Sequence, residues 1–61
     1  MPYTAADKRK AVEREIAMRK RVYPNRIETG RMTQAQASYQ IVIFEEIADD
    51  YRRLEQGERL L

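Results

Sequence analysis

The sequence predicts an all-α fold: an antiparallel helical hairpin whose two helices are joined by a short connecting turn or helix. Three observations lead there. Two long stretches lack any breaker, and each opens on a residue suited to cap a helix. In both, apolar residues recur at three- and four-residue steps. Only two glycines and two prolines punctuate the 61 residues, and they divide the chain cleanly. With no repeat, low-complexity stretch or strand pattern, residues 1–61 read as one helical-hairpin domain.

The first helix is predicted over about residues 5–22. Thr4 is placed to cap it, and Asp7 favours the positive end of its dipole. Val12, Ile16 and Tyr23, flanked by Met18 and Val22, recur near helical spacing. Pro24 is expected to stop this helix, because its ring disfavours the helical conformation at Tyr23. The connector then covers residues 23–33, with Gly30 supplying a left-handed turn residue.

The second helix is predicted over about residues 34–56. Thr33-Gln34-Ala35-Gln36 matches a capping box, in which Thr33 and Gln36 each satisfy the other's free amide. Ala37, Ile41, Phe44, Ile47, Ala48, Tyr51 and Leu54 fall on one face. Gly57 is expected to close the helix as its C′ residue.

Composition narrows the chemistry. With no cysteine and no histidine, the chain cannot form a disulfide, a familiar zinc site, a His base or a Cys nucleophile. No enzyme is expected, and no catalytic residue, metal or cofactor is assigned. The longest apolar run, Ile41 to Phe44, is far short of the roughly 20 residues of a bilayer span. Met-Pro-Tyr-Thr has no apolar core resembling a secretion signal. A soluble cytoplasmic protein without membrane contact is expected.

The surplus of apolar surface predicts company. Val42 and Ile43 flank Ile41 and Phe44, so apolar groups nearly circle the second helix there. A two-helix interface struggles to offset the ordering of so short a chain. Dimerisation into a four-helix bundle answers both problems. The expected interface is Ile41, Val42, Ile43, Phe44, Ile47 and Tyr51, with Val12, Ile16 and Val22 facing it. Two other covers are open: a short third helix around residues 24–30 folded over Val42, or an unidentified protein partner.

Charge is unevenly placed although the net is only +2. Residues 1–26 carry eight basic and three acidic groups, and residues 27–61 carry four and seven. Antiparallel packing is expected to set the acidic stretch Glu45 to Asp50 near Lys8, Arg9, Lys10 and Arg14. Arg19, Lys20, Arg21, Arg26 and Arg31 remain at the loop end as a candidate nucleic-acid patch, with Tyr23 beside them to stack on a base or plug the loop.

Other patterns read as structure. Glu46 and Asp49 have the spacing by which all-α nucleotide pyrophosphatases hold magnesium, but Glu13 and Glu15 do not supply the second pair. Gly30 to Ala37 echoes a helix-turn-helix start, yet no turn follows before Ile41. The basic first helix has too narrow an apolar face for a membrane surface.

Arg14 to Arg19, Val22-Tyr23-Pro24, Gly30 to Ala37 and Ile47 to Tyr51 together resemble a group of short, functionally unassigned phage and prophage proteins over roughly residues 9–52. The resemblance brings no activity or catalytic residue. It implies a phage-encoded protein in the host cytoplasm, acting as a small accessory through protein–protein interaction.

Overall fold

Two helices build the molecule, α1 over Ala5–Glu28 and α2 over Gln34–Leu60. The computed structural model describes residues 2–60, with side chains through Gly57. Each helix opens on a complete capping box. The Asp7 N–H donates to Thr4 Oγ1 at 3.1 Å, while the Thr4 N–H donates to Asp7 Oδ2 at 3.3 Å. At α2 the Gln36 N–H donates to Thr33 Oγ1 and the Thr33 N–H to Gln36 Oε1, both at 3.0 Å. Four orphan amides are satisfied this way, and the caps fix where both helices begin.

The ends differ from the sequence expectation. Helix α1 does not stop before Pro24 but runs through it to Glu28, so the connector shortens from residues 23–33 to residues 29–33. Proline removes one backbone donor, leaving the Lys20 carbonyl without its usual helical partner. The extra turn meets that cost by placing Ile27 beside Tyr23 and Ile41 and by closing properly. Arg31 N–H donates to the Arg26 carbonyl at 2.9 Å and Gly30 N–H to that of Ile27 at 3.1 Å, the two bonds of a Schellman motif. Gly30 supplies the left-handed residue, at φ 75°. Residues 24–28 are therefore the end of α1 and residues 29–30 the turn that closes it, not a separate third helix. At the other end α2 passes through Gly57 to Leu60, and Gly57 is a helical residue rather than a stop.

Packing follows alternating three- and four-residue steps on both helices. On α1 the seam is Ala5, Arg9, Val12, Ile16, Arg19 and Tyr23. On α2 it is Ala37, Ile41, Phe44, Ala48, Tyr51 and Glu55. All twelve are buried or half-buried, as a heptad seam requires. Large side chains of α1 meet small ones of α2: Ile16 lies by Ala48, and Tyr23 by Ala37. Ala37 and Ala48 are the most completely buried residues described, at 2% and 1% exposure.

The seam corrects one sequence assignment. Leu54 is 57% exposed, and Glu55 takes its place against α1. Arg9 explains the exchange, since its Nε donates to Glu55 Oε2 at 2.7 Å across the helix pair. The outcome is a rod of 48 × 17 × 15 Å. Its radius of gyration, 14.3 Å, exceeds the roughly 10.5 Å of a compact chain of this length.

Candidate functional site

Contacts that cross between the helices sort onto two edges. On one, Arg52 Nη2 donates to Glu13 Oε2 at 3.1 Å and Lys20 Nζ to Glu45 Oε2 at 3.4 Å. On the other, Arg19 reaches Gln40 and the Lys8 ammonium lies 5.9 Å from the centre of the Tyr51 ring. The pairs Arg9–Glu55, Glu13–Arg52 and Lys20–Glu45 have residue numbers adding to 64 or 65, which fixes one antiparallel register over most of the rod. The acidic stretch Glu45 to Asp50 is thus level with residues 14–20, not with Lys8, Arg9 and Lys10 as the charge pattern suggested. Glu45 pairs with Lys20, while Asp49 pairs with Arg52 and Arg53 of its own helix.

These ion pairs set protonation at the polar edge. The Arg52 hydrogen bond, with Arg9 adding attraction, holds the Glu13 carboxyl below its ordinary value of 4.5. The hydrogen bond to Glu55 holds the Arg9 guanidinium above its own.

The opposite edge mixes polar groups, Arg19 with Gln40 and Lys8 beside Tyr51, with exposed apolar side chains. At about 100° per residue, Ala11, Met18 and Val22 share the α1 flank with Lys8 and Glu15. Ile43, Ile47 and Leu54 share the α2 flank with Gln40 and Tyr51. Register places Leu54 level with Ala11, Ile47 with Met18, and Ile43 with Val22. Met18 is 42% exposed and Ile43 36%, while Val22 and Ile47 are half-buried. Two rows of apolar side chains therefore line one flank of the rod, without a third element to cover them among the described residues.

The six residues expected at an interface divide between inside and outside. Ile41, Phe44 and Tyr51 lean into the seam between the helices. Ile43 and Ile47 lie on the apolar flank. Val42, 53% exposed, leans toward the other edge, where it joins Tyr23, Pro24, Ile27 and Ile41 in an open groove of about 470 Å³. No family model, curated protein or solved structure matches the chain.

The five cations expected to form a phosphate-binding patch do not form one surface. Arg19 is spent inside the hairpin: it bonds Glu15 at 3.0 Å and donates to the Gln40 carbonyl at 3.1 Å. Its guanidinium also covers the Phe44 ring. Lys20 pairs with Glu45. Arg21, Arg26 and Arg31 remain exposed at the loop end. Tyr23 is buried, so it plugs the loop and cannot offer its face to a base. Among the described residues, no three acidic side chains converge on a point that could hold a metal ion.

Heptad spacing would have revealed the residues that sequence reasoning placed elsewhere. Arg9 and Arg19 fall at seam positions in the series 5, 9, 12, 16, 19, 23, but charge marked them as surface.

Proposed function

We propose that the protein works by binding rather than catalysis, as a small accessory protein that self-associates through the exposed apolar flank into a four-helix bundle. The observation that carries this reading is the row of Met18, Val22, Ile43, Ile47 and Leu54 along one edge of a two-helix rod. Contiguous apolar surface of this kind marks an interaction site in a small protein.

Area supports the same reading. The chain exposes 4951 Å², whereas a compact protein of its mass exposes roughly 4,200 Å². The excess, about 750 Å², is near the ~800 Å² that each partner gives to an interface of standard size. The resemblance to short phage and prophage proteins supports an accessory role in a phage-encoded, cytoplasmic setting. Among the described residues, no helix is long and apolar enough to cross a membrane.

Self-association links folding to concentration. The thermal midpoint is expected to rise as protein concentration is raised a hundredfold through the micromolar range. A midpoint that does not move with concentration would count against the proposal.

A further inference from the structure

The sequence contains three methionines and no cysteine, histidine or tryptophan. Thioether sulfur is therefore the group in this chain that peroxides oxidise most readily. The three sulfurs stand in different places. Met1 lies outside the described residues. Met32 is half-buried in the connector, where its N–H donates to the Arg26 carbonyl at 3.2 Å. Met18 sits near the middle of α1, 42% exposed, on the flank with Val22 and level with Ile47.

Association would change that exposure. Met18 and Ile47 occupy the middle of the apolar row, with Val22 and Ile43 toward the loop and Leu54 toward the far end. Contact of flank on flank covers this middle whichever way the two copies are related.

We propose that Met18 is an oxidation site, and that a peroxide reaching it in the separated chain keeps the flanks from closing. The inference rests on the self-association reading and adds its regulation. The thioether sulfur donates an electron pair to one peroxide oxygen, the O–O bond breaks and an S–O bond forms. Sulfur is oxidised by two electrons to the sulfoxide. With hydrogen peroxide, the departing hydroxide takes up the proton of the transferred oxygen and leaves as water. The sulfoxide is polar where the thioether was apolar. Burying its oxygen among Val22, Ile43 and Ile47 is unfavourable, because those side chains have no donor to offer. Two-fold symmetry enters the cost twice. A thiol-dependent methionine sulfoxide reductase reverses the step, oxidising two thiols to a disulfide and releasing the oxygen as water.

Hydrogen peroxide treatment of the full chain tests this, with light scattering to read association and peptide mass spectrometry to read the site. Oxidation of Met18 is expected to weaken the dimer roughly a hundredfold, about tenfold for each sulfoxide. Reductase with dithiothreitol is expected to restore it. At a fixed excess of peroxide, Met18 should gain oxygen more slowly as protein concentration is raised, while the rate at Met32 stays constant. Met18→Leu keeps the flank apolar and should remain dimeric in peroxide, whereas Met32→Leu should dissociate as the wild type does. A monomeric untreated wild type overturns the self-association reading and this inference with it. This inference alone is overturned by a wild type that stays dimeric with Met18 oxidised, or by a Met18 rate indifferent to concentration. Dissociation of Met18→Leu in peroxide, or resistance of Met32→Leu, overturns it equally.

Discussion

The Arg19 guanidinium lies 3.7 Å from the centre of the Phe44 ring. This contact joins the midpoints of the two helices and takes a cation out of solvent, leaving its side chain 16% exposed. Stacking on an aromatic face is worth about 0.5–2 kcal/mol, depending on desolvation. The coupling between Arg19→Ala and Phe44→Ala in a double-mutant cycle is therefore expected to be about 1 kcal/mol. Urea denaturation at one fixed protein concentration measures it, and additive single effects would remove the stack from the account.

Glycine substitution separates the two helix ends. A Cβ at either glycine meets nothing within 4 Å, so backbone conformation alone decides the outcome. Gly57 is helical, and Gly57→Ala is expected to raise stability by about 0.5–1 kcal/mol. Gly30 is left-handed, and Gly30→Ala is expected to lower it by about 1–2 kcal/mol. Thermal unfolding of the pair checks both signs. A loss at Gly57→Ala would mean that α2 stops there after all.

Acid should loosen the ion-paired edge. Arg52 lowers the folded-state pKa of Glu13 beneath its ordinary value of 4.5. Stability from this carboxylate is thus fully present above that value and fades as pH falls through it toward the lower folded value. Arg9 stays protonated throughout, since the hydrogen bond to Glu55 raises its pKa further above the ordinary guanidinium range. The gap in thermal midpoint between wild type and Glu13→Gln is expected to shrink below about pH 4. A gap independent of pH would show that the Glu13 charge contributes nothing.

The starts of both helices were legible in the sequence and their ends were not. Thr4 with Asp7, and Thr33 with Gln36, are local devices that work through a few neighbouring atoms, so a short motif is sufficient. Pro24 and Gly57 are weighed against longer-range packing. One lost hydrogen bond at Pro24 is outweighed by the burial of Tyr23 and by the Schellman closure at Gly30. Leu54 and Glu55 show the same limit. Composition favours leucine in a seam, but Arg9 waits at that level of the rod, and a paired carboxylate fills the position. The over-wide apolar band at Ile41 to Phe44 was legible, while its division between seam, apolar flank and groove needed the register of both helices.

At the loop end, only Arg21, Arg26 and Arg31 remain of the five basic residues. Replacing all three with alanine is expected to leave both the solution mass and the absorbance ratio of the purified protein unchanged. Co-purifying nucleic acid that disappears in this variant, or at high salt, would give the basic residues a role of their own.

Self-association through the apolar flank is read from the mass in solution. Light scattering at micromolar concentration is expected to give twice the 7.3 kDa of one chain. Ile43→Glu should reduce the mass to that of a single chain, because it sets a carboxylate inside the apolar flank. Val42→Glu, on the other edge of α2, should leave it doubled. A folded wild type of 7.3 kDa, or a dimer broken by Val42→Glu and indifferent to Ile43→Glu, would contradict the account.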